Sequence, residues 1–395
     1  MSIRFFMLIL IIIPNLFLAC ANTESKTIKE ETIVEVIKEV PVEKEVIREV
    51  EIEKIIVQEK EIIKEVPVVE REVVEVVKTV EVYIDQKSDS LIDLSKVEGI
   101  VNPKNFSWPR EIQAMNGNIV INQEPQRILT VSLGHDEMLF GFVELDKIVA
   151  TTSFSQDPGG NIFEFSNGLP VITADPEVII AQDPDIVFAD PYANPNLLDA
   201  LSDLNIPVIQ TTLHNDVEGR RADILLMGYA LGELESAKNL INILDERIKF
   251  INSYTETKDV NEKPKILSLT YYDAYWTGGL GSTEGSIIDL AGGINIAAES
   301  GVQSNDMITK ESLISMNPDV IIIPQSKEWG GESFFNDLIS DNTLKEIQAI
   351  KNDKVYLVDP RYFTTLSHWN LRGTEELMKI VWDDLRTKKF IDFGR

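Results

Sequence analysis

The sequence predicts an α/β protein of two similar lobes, each built on a parallel sheet. A single long α-helix joins the lobes, and a charged, repetitive stalk precedes them. Three observations carry this. Short apolar runs alternate with helical stretches over 127–210 and again over 264–358, the pattern of βαβ units. One long helical pattern, 221–254, separates the two sets and has no counterpart elsewhere. A Glu-to-Pro-Asp element occurs once in each half, with Glu177 seven residues before Pro184-Asp185 and Glu311 seven before Pro318-Asp319.

In chain order, Arg4 precedes an apolar run from Phe5 to Ala19 that Pro14 interrupts. The run is shorter than the roughly 18–20 residues of a membrane-spanning helix and reads as a secretory signal peptide over 1–20. Phe17-Leu18-Ala19-Cys20 looks like a bacterial lipobox. That resemblance implies lipid modification of Cys20, a membrane anchor, and an extracytoplasmic location for the rest. Cys20 is the only cysteine, so no disulfide can form within the chain. With 37 basic and 65 acidic residues the net charge is −28. Such a polyanion excludes nucleic-acid binding and a polybasic grip on lipid.

Residues 21–90 form the stalk. From 27 to 82 the chain is almost entirely Val, Ile, Glu and Lys, with no glycine and no aromatic residue. Ile37-Lys38-Glu39-Val40-Pro41-Val42 recurs as Ile63-Lys64-Glu65-Val66-Pro67-Val68. Such a segment cannot build a globular core. Apolar positions at Ile62, Val66, Val69, Val73, Val76 and Val80 match a coiled-coil seam, so a stalk helical in parts is expected. Pro41 and Pro67 oppose helix, and the β-branched content also suits extended chain.

The folded part divides into an N-terminal lobe (91–220), the linking helix (221–255) and a C-terminal lobe (256–395). Apolar runs place strands at 127–132, 147–151, 185–189 and 206–210, then at 264–269, 320–324 and 354–358. Leu225, Leu226, Tyr229, Leu240, Ile243, Leu244 and Ile248 give the linking helix its apolar side. In each half the proline of Pro-Asp stops a short helix, and the apolar run that follows enters the sheet.

These paired elements resemble the two lobes of iron-chelate and cobalamin substrate-binding proteins of ABC importers. So do Arg127-Ile128-Leu129-Thr130-Val131-Ser132, with the helix at Glu137-Met138-Leu139 after it, and Gly285-Ser286-Ile287-Ile288-Asp289-Leu290-Ala291-Gly292-Gly293-Ile294-Asn295. The likeness covers about 125–385. It implies two Rossmann-like lobes joined by one helix, a metal-chelate ligand held between them, and an ABC permease as partner. It also implies that Glu177 and Glu311 dock on permease arginines, with Asp289 a lesser candidate. A ferric siderophore is the expected cargo, with cobalamin and haem as alternatives, and the protein needs no cofactor of its own.

Ligands of open parallel sheets sit beyond the carboxyl ends of the strands. The loops there carry His135, Phe154, Tyr192 and His214 in the first lobe, and Tyr271, Tyr272, Tyr275, Trp276, Trp329, Arg361, Tyr362, His368 and Trp369 in the second. Aromatic walls suit a large conjugated ligand, and Arg361 or Arg372 suits a ligand carboxylate. Packing of the second lobe is the competing reading of the Tyr271–Trp276 cluster. His135, His214 and His368, with Asp136, are candidate ligands to a bare metal ion, and a histidine could also be an axial ligand to haem. No nucleophile elbow or phosphate loop occurs, so an enzyme is not expected. The remaining alternative is a structural surface protein whose stalk is the working part.

Overall fold

The computed structural model describes residues 35–45, 69–79, 93–390 and 393. The chain divides into two units, 1–92 and 93–395. In the first, strands Glu35–Glu45 and Val69–Thr79 pair antiparallel, with Val40 opposite Val74. This corrects the coiled-coil expectation for 69–79. β-branched residues lose side-chain freedom in a helix and fit a pleated strand. The register also sets Glu43 opposite Arg71 and Lys44 opposite Glu70. The signal peptide, Cys20, and Ile62, Val66 and Val80 of the supposed seam lie outside the described residues.

In the second unit, the N-terminal lobe centres on three parallel strands. Ile186–Ala189 lies between Ile128–Thr130 and Val208–Gln210. All four residues of Ile186–Ala189 are buried, as expected of a strand covered on both faces. The expected strand at 147–151 is reduced to one parallel bridge, Ile148 to Ile128, and a two-residue strand, Thr151–Thr152. A hairpin of Arg110–Ala114 and Gly117–Ile121 precedes the sheet and was not legible in the sequence.

The C-terminal lobe repeats the plan with four parallel strands. In spatial order these are Ile294–Asn295, Lys265–Ser268, Val320–Ile323 and Val355–Leu357. A small antiparallel sheet of Thr270–Tyr271, Tyr275–Gly278 and Asn305–Ile308 lies alongside.

The duplicated Pro-Asp has a physical explanation. The residue before each proline, Asp183 (φ 50°) or Asn317 (φ 43°), is left-handed and turns the chain out of its helix. The aspartate then pins the first strand of its lobe. Asp185 accepts from the backbone N–H of Gln126 (2.7 Å) and Arg127 (3.0 Å). Asp319 accepts from that of Lys265 (2.9 Å). Each aspartate's own N–H donates to the carbonyl of the same partner, Arg127 or Lys265.

The pattern at 221–254 resolves into two helices, Val217–Leu231 and Leu234–Thr255. Gly232, at φ 82°, caps the first. The two pack closely at Gly228, where a Cβ would sit 2.4 Å from that of Ala237. The long link between the lobes is the second helix, 22 residues and about 33 Å in length.

Removing either pin should loosen its own lobe. Asp185→Ala and Asp319→Ala are each expected to lower unfolding stability by about 1–2 kcal/mol, read as an earlier denaturant midpoint. An unchanged midpoint in both would contradict the pinning role.

Candidate ligand-binding cleft

The carboxyl ends of both sheets face a common cleft, and two cavities open there. The larger, about 1070 Å³, is walled by Glu137, Phe154 and the 157–162 loop of the first lobe, and by Tyr272, Gln325–Trp329 and Asp359–Arg361 of the second. The smaller, about 640 Å³, lies mostly on the first lobe, includes Tyr192, Leu197 and Leu213, and is closed by Thr364–Leu366 of the second. The two share Leu133, Phe154, Thr364 and Thr365.

Five of the expected residues line these cavities: Phe154, Tyr192, Tyr272, Trp329 and Arg361. Phe154, Tyr192 and Trp329 are 71%, 88% and 73% exposed, unusual for large aromatics and suited to an unfilled wall. Gln325 is fixed beside Trp329 by Tyr271, whose backbone N–H donates to Gln325 Oε1 (2.8 Å) and whose carbonyl accepts from Nε2 (2.9 Å).

The other expected cleft residues lie elsewhere. Tyr271 stacks on Phe334 (5.6 Å between centroids) and meets Tyr275 edge-on, and Tyr275 packs against the second lobe's core. Trp276 is half-buried in the small antiparallel sheet. Tyr362 stacks on the buried Trp369 and borders a separate cavity of about 600 Å³. Packing, the competing reading of the Tyr271–Trp276 cluster, accounts for Tyr271, Tyr275 and Trp276.

The histidines do not form a metal site. His135 is fully buried, with Nδ1 bonded to Ser132 Oγ (2.7 Å) and Nε2 to Thr211 Oγ1 (2.8 Å), so no ring nitrogen is left for a metal. His214 bonds Asp223 through Nδ1 (2.8 Å). His368 is buried among Trp369 and Phe393. Asp136 accepts from Thr130, Thr152 and Ser155. Among the described residues, no group of three or more His, Cys, Asp or Glu could hold a metal ion. The expectation that these histidines converge on a bare metal ion is therefore corrected. All three sit at strand exits in sequence, but the side chains of His135 and His368 turn into the lobes, and His214 is held half-buried against Asp223.

Neither arginine waits for a ligand carboxylate. Arg361 bonds Asp359 (2.7 Å) and the Gly159 carbonyl (2.8 Å). Arg372 is buried against Glu375 (3.0 Å). Glu177 and Glu311 occupy equivalent, exposed places, each the second residue of a short helix, Pro176–Ile180 or Lys310–Met316.

Sequence reasoning passed over Glu137. It lies on the helix Leu133–Phe140, at the cavity floor, only 1% exposed. Asn161 of its own lobe donates to Oε1 (2.8 Å), and Thr365 and Ser367 of the other lobe donate to Oε2. Burial pushes its pKa up to about 7, against these hydrogen bonds and the nearby Arg220 charge. Arg220, itself buried, donates to the Leu366 carbonyl across the same seam. The available signal was three consecutive ionisable residues, His135-Asp136-Glu137, inside an otherwise apolar helix.

Comparison with known proteins agrees with this architecture. Residues 128–362 match the family described as Periplasmic binding protein, and the chain belongs to it. Members are non-enzymatic transport components, so the site is one of capture. The haem-binding protein RhuT from Roseiflexus sp. RS-1 superposes with a TM-score of 0.57 at 20% identity, over 66% of this chain and 99% of that one. CeuE of Helicobacter pylori gives 0.57 at 16%, over 70% and 89%. In sequence, the chain is 23% identical to the ABC transporter substrate-binding lipoprotein YvrC of Bacillus subtilis, over 69% of this chain and 84% of that protein. It is 25% identical to a cobalamin-binding protein of Halobacterium salinarum, over 54% of this chain and 57% of that one. No helix among the described residues is long and apolar enough to cross a membrane.

The buried ionisable groups set opposing pH dependences. Burial depresses His135 to about 4 and His368 to about 3, below the ordinary 6.5, so their neutral forms favour the fold. That contribution is complete above pH 6.5 and is lost as pH falls toward 4 and 3. Glu137, raised from 4.5 to about 7, acts the other way and favours the fold as pH drops through that interval. On acidification from pH 6.5 to 4, His368→Leu should lose less stability than wild type, and Glu137→Gln should lose more. Chemical denaturation at each pH checks both, and identical profiles would contradict the assignment.

Proposed function

We propose that the protein captures a ferric siderophore in the interlobe cleft and passes it to the permease of an ABC importer of the iron-chelate, cobalamin and haem class. The observation that carries this reading is the cavity of about 1070 Å³ between the lobes, walled by Phe154, Tyr272 and Trp329. Its size suits a chelate rather than a bare ion, and aromatic faces suit a ligand with flat apolar surfaces. The names borne by the relatives support the importer class. Cobalamin and haem are the alternative cargoes.

Capture needs little movement. The helix Leu234–Thr255 spans the lobes without a flexible strand, and several bonds already cross the cleft. Arg361 reaches the Gly159 carbonyl (2.8 Å), Asn161 the Arg361 carbonyl (2.9 Å) and Asn215 the Gly281 carbonyl (3.0 Å). In this reading a ligand displaces water from Phe154 and Trp329, with the 157–161 loop already tied to Arg361 beside it. Glu177 and Glu311, one on each lobe, then orient the loaded protein on permease arginines; such charge pairs act chiefly on orientation and on-rate. Lipidated Cys20 holds the chain to the membrane, and residues 21–90 set the lobes away from it.

Titration of the mature chain with ferric siderophores, cobalamin and haem should give saturable tryptophan quenching by one class. Trp329→Phe should remove most of that quenching. Quenching by none, or quenching unaffected by the substitution, would contradict the cleft. Glu177→Lys with Glu311→Lys should reduce uptake at least tenfold while leaving ligand affinity within about twofold. Normal uptake by the double variant would end the docking claim.

A further inference from the structure

We propose that Glu137 is the charge-selecting residue of the cleft, admitting neutral or cationic chelates and turning away anionic ones. The inference rests on the reading of the cleft as a chelate site and narrows its substrate class.

The charge inventory of the larger cavity is one-sided. Five carboxylates line it, Glu137, Asp157, Glu328, Glu332 and Asp359, against two cations, Lys327 and Arg361. Lys327 pairs with Glu332 (3.1 Å), and Arg361 pairs with Asp359 (2.7 Å) while also donating to Gly159. A carboxylated or catecholate ligand would have to break one of these pairs to find a positive partner.

Glu137 differs from the other four carboxylates. Those belong to loops or rim positions where water screens them, whereas Glu137 is 1% exposed at the floor. A charge there is poorly screened and acts on whatever fills the cavity. Its acceptor capacity is not exhausted. Oε2 takes both Thr365 and Ser367, but Oε1 takes only Asn161. A carboxylate oxygen carries two acceptor sites, but with Glu137 only 1% exposed its reach to a ligand is through its charge rather than through a direct bond. The chemistry that fits is a metal chelate with no net negative charge.

Of the groups around Glu137, burial also pushes Asp136 up, to about 6, so it is the comparison with Glu137→Gln that isolates the ionisation of Glu137. On its helix, His135 and Asp136 are turned to Ser132 and Thr211, and to Thr130, Thr152 and Ser155. The helix Val217–Leu231 presents Arg220 and Asp223, the latter bonded to His214, whose pKa that bond raises. The segment 364–369 brings His368, neutral down to about 3. The facing loops bring Asp157, Asp359 and Arg361. With Glu137 titrating near 7, selection should sharpen between about pH 6 and 8.

The test measures dissociation constants of the mature wild type and Glu137→Gln for four probes. These are a neutral ferric tris-hydroxamate, cyanocobalamin, a trianionic ferric tris-catecholate, and haem with its two propionates. Wild type should bind a neutral probe at least tenfold more tightly than either anionic one at pH 8, with a smaller ratio at pH 6. The near-isosteric Glu137→Gln should shrink the ratio severalfold and make it independent of pH. A purely structural role would weaken all probes together and leave the ratio alone. Equal wild-type affinity for neutral and anionic chelates, or a ratio unchanged in the variant, overturns the inference while the chelate reading stands. Should the variant fail to fold, the wild-type ratio across pH decides, and a flat profile overturns the inference. If wild type binds none of the four, the chelate reading itself falls and takes the inference with it.

Discussion

A carboxylate buried where two lobes meet has to be satisfied by both of them. Leaving a charge out of water without partners costs far more than an ordinary contact returns. Glu137 meets this constraint with one donor from its own lobe and two from the other. Arg220 does the converse, bonding the Leu366 carbonyl from the first lobe's helix. Between them the segment 365–367 is held against the first lobe, and this fixes the floor of the cleft. The exposed aromatics stand above a base that polar bonds, rather than apolar packing alone, hold in place.

The duplicated lobes deliver their loops to that floor by the same device. A short helix is followed by a left-handed residue, Asn317 as the cap itself or Asp183 shortly after the cap, proline prevents continuation, and the following aspartate ties the buried strand to the first strand of its lobe. Strands fixed in register at their start release their loops at the opposite end. One recurring sequence element therefore serves two distant jobs. It aligns the sheet, and it leaves Glu177 and Glu311 on corresponding outer positions of the two lobes.

Much of the fold was legible because its strands are continuous apolar runs such as Ile186–Ala189 and Val320–Ile323, bounded by Pro-Asp. The hairpin Arg110–Ala114/Gly117–Ile121 was not, because its alternation is short and half-exposed. The heptad spacing around Val69–Val76 misled, since spacing alone does not register that Val prefers the extended chain. In the cleft, Phe154, Tyr192, Tyr272, Trp329 and Arg361 could be placed because strand-exit position fixes where a loop lies. It does not fix which way a side chain turns. His135 and Trp369 stand at equally good positions and face inward. Glu137 was missed for the complementary reason. A helix residue looks structural until the other lobe is seen to supply its hydrogen bonds.

Capture of a metal chelate between the lobes is the function that the cleft implies. Hydrogen–deuterium exchange of the mature chain, with and without a saturating neutral ferric tris-hydroxamate or cyanocobalamin, tests this most directly. New protection is expected only in the cleft segments 154–161, 325–329 and 359–366. The outer helices Pro176–Ile180 and Lys310–Met316 should stay unchanged. Protection located elsewhere, or none with any chelate, would contradict it.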